Sequence, residues 1–578
     1  MKYPRLAILT VLAFTALVPL EAAARGGSPP CDLQALDAET KDNVAAALGL
    51  ARFEPNRIPR NVQDRLCSPK NSAAAFGERT RFRLADLLAH PDSLTPPYNA
   101  LYGTMASYAS VQSPHQAYVL LDFLGQDRSR GYRPLPDAAN LQFPADNAVD
   151  PDSQFGWYYV VGNARGDNGK RYGVLLMLYR VSLLSPSVAA HFGLSGAENQ
   201  VIDMQLAITE AGDRNYQSRP TLIAGTTGLI QLKANTFFMT QGRNGVTSPD
   251  GAVVPMRVTA SGTDRGVTPP VDLAIDLVFS GAKSYLLQGD DGCLPCCGKI
   301  GTLYYSIPRL TLDTSASTIK LKGQTIRLTD GEFWLDHQRG TLGNLRVEAF
   351  RAFINTQSPG GPPGWDFFVA QFQGNRQMTF VGFHTDANAR FYNQTGPQPP
   401  AGVMTVPVVG KYMDANAVQV DAKGTLRVTD WVKSTSTPNP SQYTVTNAWY
   451  PNRWEFEFGP EVPADIRRFS MAPIVATGAS LFFATGQQYQ EAPVDILNTD
   501  GRVVGSGYAE AVAYAAGVPT NFQNRLRLAG LPDTPEMIAL LNNTKPSPEL
   551  IDESLLYLLD PAHQQELQQA LTTCKTGQ

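Results

Sequence analysis

Charge is scarce and nearly balanced: Asp, Glu, Lys and Arg make up 17% of the 578 residues, and the formal net charge is −4. No Lys or Arg cluster forms a basic stripe, so the electrostatic footprint of a nucleic-acid binder is missing. The Gly-x-Ser-x-Gly elbow that would raise a serine nucleophile on a strand-to-helix turn is absent. So are the phosphate loop and the dinucleotide fingerprint, and the Gly-rich stretch Pro359 to Gly364 has no strand–loop–helix context. Histidine is sparse, six residues widely scattered, which leaves no sequence-local set of zinc ligands. Neither a metal nor an organic cofactor is expected. Beyond the first residues, no apolar run is long enough to cross a hydrocarbon core of about 30 Å.

The N-terminus carries a targeting pattern. Lys2 and Arg5 form a positive head, Ala7 to Leu20 an apolar run, and Ala22, Ala23 and Ala24 a small-residue cleavage region. This is the layout of a secretory signal peptide over 1–24, and it predicts a periplasmic or secreted protein. Six cysteines follow, Cys31, Cys67, Cys293, Cys296, Cys297 and Cys574. An even number in an exported chain suits disulfides, whose pairing the sequence does not choose. The group Cys293, Cys296 and Cys297 fits a disulfide staple, a metal site or free thiols.

Hydrophobic residues make up 43%, an ordinary globular share, and at roughly 150 residues per domain the length suggests three or four units. Residues 25–150 mix helical spacing with frequent Pro and Gly and read as an N-terminal helical and irregular segment. From about Gln154 the texture turns to strands. Trp157 to Val161 and Tyr172 to Val181 flank Asn168-Gly169, a two-residue hairpin signal because both residues tolerate positive φ. Val201 to Ile208, Gly228 to Thr240, Val253 to Thr259, Val271 to Phe279 and Thr302 to Leu312 continue the series. A second series begins near Leu345 and runs through Trp365 to Gln373, Met378 to Phe383, Val418 to Val432, Trp454 to Phe458, Ser480 to Thr485 and Gly505 to Ala515. Regular turn spacing predicts antiparallel sandwiches or barrels, not a parallel sheet. The predicted units are β-domains over 151–342 and 343–520, with a helical tail over 521–578.

Four stretches carry a family resemblance. Trp157-Tyr158-Tyr159 with Tyr172-Gly173 and Leu178-Tyr179-Arg180 resembles an opening hairpin. Tyr304-Tyr305-Ser306-Ile307-Pro308-Arg309-Leu310 leads into Gly331-Glu332-Phe333-Trp334-Leu335-Asp336-His337-Gln338. The other two are Gly364-Trp365-Asp366-Phe367-Phe368, and Tyr450-Pro451-Asn452-Arg453-Trp454 with Gly505-Ser506-Gly507-Tyr508-Ala509-Glu510. Together they resemble the AttH-like and carotenoid 1,2-hydratase family. That resemblance implies a mainly β fold of two tandem antiparallel lipocalin-like barrels around an apolar ligand. Gly156, Gln338 and Arg339 depart from the family's pattern.

In a strand, Trp334, Asp336 and Gln338 share one face, and Leu335 and His337 the other. If Asp336 points into an apolar barrel interior, desolvation raises its pKa. A protonated carboxyl there donates a proton to an alkene, and an aromatic face such as Trp334 or Trp365 stabilises the resulting cation. His337 is a candidate base or water-orienting group, with a hydrogen-bonded structural histidine as the alternative. Tyr305, Trp334, Trp365 and Tyr508 are candidate substrate walls, and Glu510 shares a strand face with Tyr508. Asp366 alternates away from Trp365 and is expected to make hydrogen bonds at the domain junction. Three functions stay open. One is a cofactor-independent hydratase, isomerase or cyclase acting on an isoprenoid or lipid-like substrate. Another is a periplasmic carrier of lipophilic ligands, with which peripheral membrane contact is compatible. The last is a mainly structural envelope protein with filled barrels.

Overall fold

A computed structural model describes residues 32–72, 74–75, 78–79, 132–133, 141–289, 291–297, 300–340, 363–385, 397–433, 449–476, 479–482, 488–512 and 514. The predicted leader, the helical tail, the junction near Thr341 to Arg346 and most of the N-terminal segment lie outside these residues.

The first unit holds β1 (Phe155–Gly166), β2 (Arg171–Ser182), β3 (Gln200–Glu210), β4 (Asn215–Gln217), β5 (Thr221–Ala224), β6 (Ile230–Leu232), β7 (Phe238–Gln241), β8 (Asn244–Thr247), β9 (Met256–Asp264), β10 (Val271–Ala282), β11 (Leu286–Leu287), β12 (Cys293–Cys297), β13 (Ile300–Leu312), β14 (Thr318–Leu321) and β15 (Gln324–Gly340). They form one 15-stranded antiparallel sheet with the main order β4-β3-β2-β1-β15-β13-β10-β9-β8-β7-β6. The sheet curls until β4 meets β9, where the Gln217 amide donates to Asp264 Oδ2 at 3.2 Å. The hairpin read from Asn168-Gly169 joins β1 to β2, and Gly169 has a φ of +77°. The single strand expected over Gly228 to Thr240 is broken instead into β6 and β7. Asn235 takes a positive φ of 57° between them and turns the chain into a hairpin.

The second unit holds β16 (Pro363–Phe372), β17 (Arg376–Thr385), β18 (Thr405–Met413), β19 (Gln419–Lys433), β20 (Trp449–Phe458), β21 (Arg468–Pro473), β22 (Ala479–Phe482), β23 (Gln488–Leu497) and β24 (Val503–Val512). The path β21-β20-β19-β18-β17-β16-β24-β23 closes through β21–β23 pairing, while β22 adds to β23 outside the ring. Eight strands leave an interior that side chains can fill. Phe368, Phe372, Phe380, Phe456, Phe458 and Phe469 pack there. The fold is thus mainly β and antiparallel, a large curled sheet followed by a closed barrel.

Burial along each strand shows which surface meets what. β9 and β10 alternate between buried and partly exposed positions, as expected of a sheet with one wet face. β2 is buried at every position after its first. One face of β2 joins the core of the curled sheet, and the other joins a cluster shared with the barrel. The two units approach closely: a Cβ on Gly173 would lie 2.3 Å from Pro493 Cγ. Arg171 bonds Asp495, Gln371 Nε2 donates to the carbonyls of Pro308 and Phe333, and Lys283 Nζ donates to the carbonyls of Asn375 and Asp414.

Part of the N-terminal segment covers the open side of the curled sheet. Asp37 caps α1 (Ala38–Ala47), its Oδ1 accepting from the Thr40 amide at 2.9 Å, and Arg219 reaches Glu39 and Asp42 on that helix. The helix α2 (Arg60–Leu66) ends at Cys67, which is disulfide-bonded. Residues 145–148 form a plug. Tyr158 Oη donates to the Asn147 carbonyl at 2.6 Å, Tyr305 Oη to Asn147 Oδ1 at 2.9 Å, and Asn147 Nδ2 to Tyr285 Oη at 2.9 Å. Replacing Asn147 by Ala strips the Tyr285 hydroxyl of its donor and Tyr305 of one acceptor inside the core. The expected cost is about 1–3 kcal/mol, read as a lower denaturant midpoint; an unchanged midpoint would show that the plug holds nothing.

Candidate functional site

Strand alternation decides the site, because both faces of β15 are buried. Phe333 and Leu335 point into the curled-sheet core, and His337 packs against Tyr158, Phe237 and Tyr305 on that side. Trp334 points the other way, into the cluster shared with Val369 and Tyr508 of the barrel. Asp336 therefore does not face a barrel interior, the orientation considered from sequence. It lies between the two units, with 1% of its surface exposed.

Asp336 is ringed by donors. Trp334 Nε1 donates to Oδ1 at 2.6 Å, Ser306 Oγ to Oδ1 at 2.5 Å, and Tyr304 Oη to Oδ2 at 2.8 Å. Indole N–H can only donate. Ser306 Oγ already accepts from Gln288 Nε2 at 2.8 Å, and the same amide reaches Thr379 Oγ1 at 3.1 Å. The serine proton is thus committed to Asp336. Burial raises the Asp336 carboxyl to about 6, and the three donors limit the rise.

Two further carboxyls arrive from the barrel. Glu491 and Glu510 stand opposite each other in register across β23 and β24, close enough for each to shift the other's proton affinity. Tyr159 stands opposite Asp336 in the β1–β15 register and donates its hydroxyl to Glu491 Oε2 at 2.7 Å. Trp365 Nε1 donates to Glu510 Oε1 at 2.6 Å. Burial, then the neighbouring Glu510 charge, pushes Glu491 well above the carboxylate range, and burial pushes Glu510 to about 7. Burial also raises the Tyr159, Tyr304 and Tyr508 hydroxyls, which stay protonated. Among the described residues, no Lys or Arg is a leading influence on any of the three carboxyls. Rings complete the walls: Tyr304 stacks on Phe367 at 6.1 Å, and Trp157 meets Tyr179 at 6.0 Å and Tyr304 at 6.4 Å.

Of the residues singled out from sequence, Trp334, Asp336, Trp365 and Tyr508 converge on this interface, and Glu510 joins them. His337 and Tyr305 do not. His337 Nδ1 lies 3.0 Å from the Trp157 carbonyl and Nε2 lies 3.3 Å from the Ala148 carbonyl. Two carbonyls would favour a charged ring, but burial dominates, with Arg339 adding repulsion, and lowers His337 to about 3. A neutral ring bonds through the nitrogen with the shorter contact. Tyr305 donates to the plug. Its neighbour Tyr304 is the tyrosine that reaches Asp336. Asp366 was expected at the junction but lies inside the barrel, accepting from Trp454 Nε1 at 2.8 Å, and burial raises it to about 7. Glu491 had no signal in the sequence: Pro493, two residues on, disguises its strand.

These raised acids couple stability to pH. Asp336 at about 6 and Glu510 at about 7 hold protons that an unfolded chain releases at roughly pH 4. The folded state therefore binds more protons across that window, and stability falls as pH rises through it and levels off above. Glu510→Gln should flatten this decline in urea unfolding measured from pH 4 to 8; an unaltered slope would mean that Glu510 ionises as freely in the folded chain as in water.

A family model described as AttH-like matches residues 134–402. The structure is similar to that of a putative AttH from Nitrosomonas europaea, with a TM-score of 0.44 and 16% identity over 66% of this chain and 99% of that one. It is also similar to kievitone hydratase from Nectria haematococca, with a TM-score of 0.39 and 11% identity over 66% of this chain and 98% of that one. No curated protein matches the sequence. The matched residues include the curled sheet, the Trp334–Asp336 strand and the first strands of the barrel, whereas Glu491 and Glu510 lie beyond them. The AttH-like match thus spans a little under half of the chain.

Proposed function

We propose that the chain catalyses acid–base addition of water to, or rearrangement of, a carbon–carbon double bond in an apolar, isoprenoid- or lipid-like molecule at the interface of its two β-units. One observation carries this reading: three carboxyls from separate strands of both units, Asp336 and Glu491 buried and Glu510 half-buried, gather among tryptophan and tyrosine rings with no Lys or Arg paired to them among the described residues. Protonating an alkene needs an acid that keeps its proton near neutral pH, and burial supplies it. The carbocation then needs negative charge and aromatic faces. Asp336, Trp157, Tyr304 and Phe367 offer both. An anionic substrate would meet repulsion from the ionised carboxyls, so the ligand is neutral or cationic.

Export belongs to the same reading. Lys2, Arg5, the Ala7 to Leu20 run and Ala22 to Ala24 support a leader removed after residue 24. N-terminal sequencing of the mature protein should begin at Arg25 or close to it; a mature chain that keeps Met1 would rule out cleavage and favour an uncleaved N-terminal anchor.

The central test is ligand identification followed by turnover. Small molecules extracted from natively purified protein are identified by mass spectrometry and re-incubated with it in water enriched in heavy oxygen. Label should enter an apolar alkene, or the ligand should rearrange at constant mass. Asp336→Asn should reduce either reaction by roughly a hundredfold to ten-thousandfold while ligand uptake persists. Bound ligand with no reaction in the unaltered protein would favour the carrier reading instead.

A further inference from the structure

We propose that the Glu491–Glu510 pair, and not Asp336, bears the proton delivered to the double bond, and that Asp336 receives the proton released by the attacking water. This assignment rests on the acid–base function above and divides its labour between the two units.

The hydrogen bonds around each carboxyl set the roles. Asp336 Oδ1 accepts from Trp334 Nε1, which cannot accept, and from Ser306, whose proton Gln288 has directed onto it. A proton has no place on that oxygen. Oδ2 accepts from Tyr304. Three donors converge on one carboxylate, an arrangement that favours the ionised form. Glu491 is the opposite case. Tyr159 occupies Oε2. Oε1 receives no hydrogen from any group among the described residues, and Glu510 stands opposite Glu491 in the strand register. Glu510 accepts from Trp365. Two carboxyls in register on adjacent strands, with no Lys or Arg paired to them among the described residues, cannot both ionise cheaply, so they share a proton and titrate as a pair. The directions agree: burial raises Glu491 and Glu510, and Glu510 raises Glu491 further, whereas three donors limit the rise at Asp336. Tyr159 is the covalent neighbour of neither acid, yet it stands beside Asp336 in register and touches Glu491, so the groups form one site.

The step balances. The pair gives its shared proton to one alkene carbon, whose π electrons form the new C–H bond and leave a tertiary cation on the other. Water adds its lone pair to that cation, and the oxonium proton passes to Asp336. The net reaction is alkene plus water to alcohol. The site resets when Asp336 returns its proton to the pair, directly or through solvent. Acid and base thus sit on different units, which gives a reason for the interface to be the site: neither unit alone holds both.

Infrared difference spectra of the ligand-free, full-length protein at neutral pH test the proton assignment without any substrate. Wild type minus Glu491→Gln, and wild type minus Glu510→Gln, should show a protonated-carboxyl carbonyl band. Wild type minus Asp336→Asn should show carboxylate bands only. Asp366 is intact in every sample and cancels. If one glutamine variant fails to fold, the other decides. A protonated-carboxyl band in the Asp336→Asn difference, or carboxylate bands alone in the glutamate differences, overturns the proposal. Once a substrate turns over, Glu510→Gln should displace the alkaline limb of the pH–rate profile and Asp336→Asn should remove the acid limb; the reverse pattern overturns it equally. Failure to find any turnover counts against the proposed reaction, while the spectra still decide which carboxyl holds the proton.

Discussion

Asp336 and Glu491 are held out of water, and Glu510 is half-buried beside them, where an unpaired carboxylate is costly. Among the described residues, no arginine or lysine pairs with them to offset that cost. The surrounding structure supplies two other remedies. At Asp336 it aims an indole, a serine and a tyrosine at one carboxylate. At the glutamate pair it leaves protonation as the cheaper state. Strand spacing enforces the second remedy, since paired positions on adjacent strands bring side chains within roughly 5 Å.

Keeping this arrangement dry takes both units. The curled sheet contributes Tyr159, Tyr304 and Trp334, and the barrel contributes Trp365, Phe367 and Tyr508. Gly173 allows the close approach, because any larger residue would collide with Pro493. Gln288 links the units through the site itself, bonding Ser306 on one side and Thr379 on the other. The interiors do different work. The barrel is filled with phenylalanine, and the open side of the curled sheet is covered by Asp146, Asn147 and Ala148, of which Asp146 and Asn147 accept from Tyr305 and Tyr158. The space between the units is where chemistry-bearing side chains meet.

The reading of individual residues shows where sequence reasoning carries and where it stops. Alternation correctly set Trp334 and Asp336 on one face of a strand and His337 on the other. It could not say which face looks where, because a strand buried on both sides has no wet face to orient it. Tyr304 and Tyr305 fail for the same reason: two like residues in succession give no parity. Tyr508 and Glu510 were legible as a same-face pair. Glu491 was not, since Gln488 to Pro493 carries polar residues and a proline where a central strand is expected to be apolar.

By itself the sequence determined the fold class, the hairpin at Asn168-Gly169, the division into two antiparallel β-units and the pairing of Trp334 with Asp336 on one face. These follow from local periodicity and turn chemistry, which act over a few residues. Tertiary structure alone decided that the second sheet closes while the first curls and takes a plug. It alone decided that His337 and Tyr305 belong to a core, and that carboxyls more than 150 residues apart share one dry interface. Contacts of that kind depend on how two finished sheets pack, and no stretch of chain short enough to read records it.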